Sequence, residues 1–168
     1  MRALFGKRTS TEHEEEVQPQ PLPVTGPALL REGPLLAPWY MVHRLEEEME
    51  RARRYGRPLA IVVAAPALLP GEAKDADVVE AATAAALKVA RTTDLAGWLA
   101  DGGLLIIMPE TSLEGADAAA SRWRSELYLR TRSVGGKKWA VQAEAFWRDL
   151  PNASAFLSSA LDRTRAAA

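Results

Sequence analysis

A chain of 168 residues, 48% hydrophobic and 26% charged, has the size and composition of one globular domain, and 21 Lys+Arg against 22 Asp+Glu leave a net charge of −1. That balance provides no long-range field to gather nucleic acid or an anionic membrane, so neither is expected as a partner. The sequence has no cysteine, which excludes a disulfide framework, a thiolate nucleophile and a cysteine-ligated metal, and suits a reducing cytoplasm.

The chain opens on MRALFGKRTS, which has basic residues but lacks the apolar stretch and cleavage site of a secretory signal. No run of about 18 apolar residues follows to span a bilayer, so the expected location is cytoplasmic. Leu4 and Phe5, set among Arg2, Lys7 and Arg8, read either as a frayed terminus or as a short docking peptide for an unidentified protein partner. Six of the eleven prolines fall within residues 19 to 38, behind the acidic stretch TEHEEEVQPQ. This composition cannot build a core, and it predicts a disordered, Pro-rich tail or tether over residues 1–38 and a folded domain over 39–168. His13 and His43 both sit in charged surroundings and read as solvated side chains.

From Trp39, helical spacing of Met41, Leu45, Met49 and Ala52 predicts an amphipathic helix, with Glu47–Arg51 and Glu50–Arg54 as exposed pairs and Gly56 and Pro58 closing it. LAIVVAA (59–65) is an unbroken apolar run, as expected of a strand covered on both faces. A second helix is expected from Asp77 and Glu80, placed as in a capping box, with Val79, Ala82, Ala86 and Val89 on its inner face. Strands are expected at Leu95–Leu99 and Leu104–Met108, joined by Asp101-Gly102 as a type I′ turn. Thr111 and Glu114 have the spacing of a further capping box, ahead of a stripe of Leu113, Ala116, Ala120, Trp123 and Leu127. A last strand alternates Trp139, Val141, Ala143 and Ala145, and Pro151-Asn152 opens a final helix. The inner six elements spell βαββαβ, an α+β ferredoxin-like palm whose helices pack on one face, with an extra helix at each end.

Three stretches carry a family resemblance: LEEEMERARRYGRPLAIVV, RTTDLAGWL leading into the hairpin, and LLIIMPETSLEGADAAASRWRSEL after it. From about Arg44 onward the chain resembles GGDEF domains, the bacterial diguanylate cyclases that condense two GTP molecules into cyclic di-GMP on such a palm. In that alignment the Gly-Gly-Asp/Glu-Glu-Phe signature falls on Ala100, Asp101, Gly102, Gly103 and Leu104. The aspartate that leads the family's first-strand metal segment becomes Ala65, and the Asn-Arg segment that reads guanine falls at about Ala37 to Trp39 without an equivalent. Phosphoryl transfer between triphosphates needs Mg²⁺ held by hard carboxylate oxygens, which alanine and glycine do not offer. The expectation is a degenerate domain with no enzyme activity and no cofactor.

The family's inhibitory site is an Arg-x-x-Asp tetrad placed five residues before the signature, and Arg91-Thr-Thr-Asp94 keeps that spacing. The resemblance adds an arginine from the next helix, Arg122, and implies a cyclic di-GMP receptor through Arg91, Asp94 and Arg122. Guanidinium groups fork onto phosphate or guanine, and a carboxylate accepts from guanine N–H groups. Two alternatives stay open: the tetrad as a surface ion pair, and the palm as a ligand-independent scaffold for a protein partner. The basic residues between Arg122 and Lys138 read as a solvated helix end and loop, Trp123 as core, and Trp39 and Trp147 as a candidate interaction surface.

Overall fold

The computed structural model describes residues 30–67, 75–134 and 138–167. Two short strands, β1 (Arg31–Glu32) and β2 (Leu35–Leu36), precede helix α1 (Pro38–Tyr55) and strand β3 (Leu59–Pro66). Helix α2 (Ala76–Val89), the hairpin strands β4 (Leu95–Trp98) and β5 (Leu104–Pro109), helix α3 (Leu113–Thr131), strand β6 (Trp139–Ala145) and helix α4 (Ala153–Ala166) follow. The sheet order is β1-β2-β4-β5-β3-β6, and the block β4-β5-β3-β6 is antiparallel throughout. This is the ferredoxin-like palm that the element order predicts.

The palm is covered on both faces. Strands β3 and β5 have no polar alternation, so each side of them must be sealed from water. Ala60, Val62, Ala64, Leu104, Ile106 and Met108 pack with α2 and α3 in one core. Ile61, Val63, Leu105 and Ile107 pack in a second core with Met41, Leu45 and Met49 of α1 and Phe156 and Leu157 of α4. The expectation of helices on one face holds for the inner six elements only, because the two flanking helices close the other face.

The N-terminal boundary also moves. Residues 30–37, placed in the tether by their composition, join the sheet: Leu36 pairs with Gly97 in parallel, and Leu35 is fully buried. Proline does not forbid this, since Pro34 sits in the turn between β1 and β2, beside Gly33 at φ 66°, where no ladder hydrogen bond is needed. Residues 1–29, the rest of that expected tail, lie outside the described residues. Gly97 makes the docking possible. A Cβ there would stand 2.2 Å from Met41 Cγ and 2.7 Å from the Leu36 carbonyl oxygen. Gly97→Val is expected to cost about 1–3 kcal/mol by overpacking. In hydrogen exchange it should loosen residues 31–37 ahead of the rest of the sheet; uniform protection there would contradict the account.

Two helix starts differ from the spacing-based assignment. Asp75, not Asp77, caps α2 by accepting the Asp77 amide, and Ser112, not Thr111, caps α3 by accepting the Gly115 amide. In each case the capping side chain belongs to the residue just outside the first helical one, where the orphan amides point. No described helix is long and apolar enough to cross a membrane.

Candidate functional site

The β4–β5 hairpin turns through three residues. Gly102 N donates to Leu99 O at 2.9 Å and Leu99 N to Gly103 O at 2.8 Å, leaving Ala100, Asp101 and Gly102 in the loop. Of these only Gly102 has a positive φ, 87°, so the loop is a type I turn closed by a left-handed glycine and not the expected two-residue type I′ turn. Asp101 holds this shape: its Oδ1 accepts the Gly103 amide at 3.0 Å, and its Oδ2 accepts from Arg165 of α4 at 2.7 Å. The one acid of the hairpin is thereby committed to the turn and to α4.

Register fixes the neighbours. Ala64 pairs with Leu104, which sets Ala65 beside Gly103, and a Cβ on Gly103 would meet the Ala64 carbonyl oxygen at 3.0 Å. The positions where the resemblance puts metal ligands, Ala65, Gly102 and Gly103, thus stand together at one end of the sheet without an oxygen-bearing side chain among them. Mg²⁺ demands a near-octahedral set of hard oxygens, and these residues do not fit it. Among the described residues no group of three or more His, Cys, Asp and Glu side chains is placed to hold a metal ion.

Arg91 and Asp94 occupy the turn between α2 and β4. Asp94 Oδ2 accepts the Arg91 amide at 2.9 Å and Asp94 N donates to Arg91 O at 3.1 Å, closing the tetrad on itself. Asp94 is 9% exposed, and its Oδ1 has no hydrogen-bond partner among the described residues. An acceptor buried in that way costs stability, on the order of 1–3 kcal/mol, until a donor reaches it.

The exposed Arg91 side chain borders a cleft of about 450 Å³. Thr93 and Leu95 continue its side of the cleft, and Arg44, Glu48 and Arg51 of α1 form the other. Glu48, 3% exposed, accepts from Arg44 at 3.4 Å and from Arg51 at 3.1 Å, which ties both guanidinium groups to the cleft wall. Hydrogen bonding to Tyr40 raises the pKa of Arg44 against the opposing effect of burial, with Glu47 and Glu48 adding to the rise. Pro109 and Glu110 close the rim, with Glu110 paired to Arg57, so three arginines face two glutamates and the lining carries a formal excess of one positive charge.

These pairings replace the expected ones. Glu47 pairs with His43 and Arg44, and Glu50 with Arg53, while Arg51 turns to Glu48. A carboxylate facing a packed wall needs compensating charge more than an exposed one does, so Glu48 outcompetes Glu47 for Arg51. Arg44 and Arg51 are the site residues that reading the sequence missed. Their seven-residue separation, with Glu48 between them, was the available signal. Arg122 is exposed on α3, which packs with α2 on the face away from α1, and it is not among the residues lining the cleft. The structure brings Arg91 and Asp94 together in one turn; of the three expected ligand residues only Arg91 lines the cleft.

Compared with solved structures, the backbone aligns with GGDEF domains. The diguanylate cyclase SiaD from Pseudomonas aeruginosa, solved with its activator SiaC, superposes with a TM-score of 0.63 at 21% identity, over 79% of this chain and 53% of its own. This chain therefore spans about half the length of that SiaD chain. The GGDEF domain of DgcB from Caulobacter crescentus, solved with cyclic di-GMP, gives 0.68 at 14% identity over 79% of this chain and 84% of its own. An active GGEEF domain from Vibrio cholerae gives 0.63 at 13% identity over 79% and 87%. Neither a protein-family model nor a curated protein matches the sequence. By its fold, this chain is a GGDEF-like domain.

Proposed function

We propose that this domain is a catalytically silent, degenerate receptor for cyclic di-GMP, read through Arg91 and Asp94, with Arg122 at its periphery. The observation that carries the reading is the closed Arg91–Asp94 turn at the mouth of a cleft walled by Arg44 and Arg51. Three guanidinium groups suit a ligand with two phosphates and two guanines, since each can fork onto phosphate oxygens or onto guanine O6 and N7. Asp94, which does not itself line the cleft, supports the reading by fixing the turn that presents Arg91. Loss of turnover rests on the hairpin, where the developing charge of phosphoryl transfer would meet alanine and glycine in place of a cation.

The DgcB domain was solved with cyclic di-GMP and SiaD with a protein activator, so both kinds of partner occur on this fold. A second reading, a ligand-independent interaction module in the cytoplasm, draws on the exposure of Trp39 (57%) and Trp147 (62%), which offer aromatic surface to a protein. Thermal melting separates the two. Cyclic di-GMP at about a hundred times its Kd should stabilise the chain by about 2.7 kcal/mol and raise Tm by about 5–10 °C. GTP with Mg²⁺ should yield no product. An unmoved Tm favours the interaction module, and cyclic di-GMP formed from GTP overturns the silent assignment.

A further inference from the structure

The edge of the sheet farthest from β1 carries a second cationic cleft that the proposed function does not use. Arg124 and Tyr128 of α3, with Arg132 just past its end, face Lys138, Trp139 and Gln142 across about 360 Å³. Three of these six are cations, and among the described residues no Asp or Glu lines the cleft. Arg124 donates to the Val141 carbonyl at 2.8 Å, which lays its guanidinium along the strand.

Strand β6 is an edge. Phe146 N donates to Leu59 O and Ala67 N to Lys138 O, so with Ala60 opposite Ala145 the even-numbered residues of β6 bond to β3. The backbone groups of Trp139, Val141 and Ala143 therefore point outward beside the cations. An extended acidic segment would meet both: outward amides for its backbone and guanidinium groups for its carboxylates.

The chain supplies such a segment. Residues 12–16 read EHEEE, four glutamates in five residues, and lie outside the described residues. Fourteen residues further on comes Leu30, fixed at the opposite edge where Ala37 N donates to Leu30 O at 2.9 Å. Five strand spacings of about 4.8 Å put the two edges about 24 Å apart. Pro19, Pro21, Pro23 and Pro27 favour an extended connection, which at about 3.1 Å per residue reaches about 43 Å. That exceeds the straight separation of the edges by about 19 Å. Because it is tethered, the segment is presented at an effective concentration on the order of millimolar, so weak, salt-sensitive charge pairing suffices.

We propose that the acidic segment Glu12–Glu16 docks along β6 in the Arg124/Arg132/Lys138 cleft of its own chain. The chain has no cysteine, so Val17→Cys admits a single nitroxide label in the whole 168-residue chain. At low salt the label should broaden the amide signals of Trp139, Val141 and Ala143 in the ¹⁵N spectrum. The broadening should fade toward 1 M salt, where the Debye length falls from about 10 Å at 0.1 M to about 3 Å. Arg132→Glu with Lys138→Glu, both at exposed positions, should abolish it, and adding Glu14→Lys, Glu15→Lys and Glu16→Lys should restore it. Three results would overturn the proposal: no broadening along β6, broadening that survives high salt, or equally strong broadening of nitroxide-free ¹⁵N chains mixed with nitroxide-bearing ¹⁴N chains. The last would assign the cleft to the tail of a second copy.

Discussion

Arg91→Ala is expected to weaken cyclic di-GMP binding about 5- to 150-fold, the loss of one bidentate guanidinium contact worth about 1–3 kcal/mol. The side chain is the right one to remove because its role in the fold is small. The tetrad is closed by the Arg91 backbone and the Asp94 carboxylate, so alanine leaves the turn intact while stripping the guanidinium from the cleft. Arg122→Ala is the comparison. Lying outside the cleft, it should lose clearly less affinity than Arg91→Ala. Calorimetry on both variants checks this, and equal losses would place the ligand on the α2–α3 face instead.

The second large effect concerns the fold. Phe156→Ala should cost about 3–5 kcal/mol, measured as a fall in denaturant midpoint, against a total stability of about 5–15 kcal/mol for a domain. Phe156 is fully buried, its ring centroid 5.8 Å from that of Phe146, and it shares the second core with Met41, Leu45 and Met49. This core seals the face of β3 and β5 that α2 and α3 leave uncovered. Arg165 sits on the same helix, so loosening α4 should also release Asp101. A cost below about 1 kcal/mol would mean that α4 is an ornament and that the second face tolerates water.

How far the sequence reveals all this depends on the range of the signal. Period and apolar runs are local, and they place the helices and strands of the palm to within a residue or two: Leu59–Pro66 was visible as LAIVVAA, and Trp123 as the centre of a helical stripe. The second covered face was implicit in the same apolar run but needed α1 and α4 to be seen lying across it. Leu35 was missed because prolines around it suggest a tether, while the pairing that buries it depends on Gly97, more than sixty residues away. Within the site, the Arg91–Asp94 spacing was readable. The partnership of Glu48 with Arg44 and Arg51 was not, because which glutamate of Glu46-Glu47-Glu48 turns inward is decided by what packs against the helix. Asp101 shows the converse: an acid at a hairpin tip invites a catalytic reading, and its two oxygens prove to serve Gly103 and Arg165.

The proposed receptor recognises its ligand without a cation. The most direct test is a calorimetric titration of the wild-type chain with cyclic di-GMP, once in EDTA and once in excess Mg²⁺. Micromolar or tighter binding with the same affinity in both is the expected result, because arginines would hold the ligand without a metal. Binding that appears only with Mg²⁺, or no heat of binding in either buffer, would contradict it.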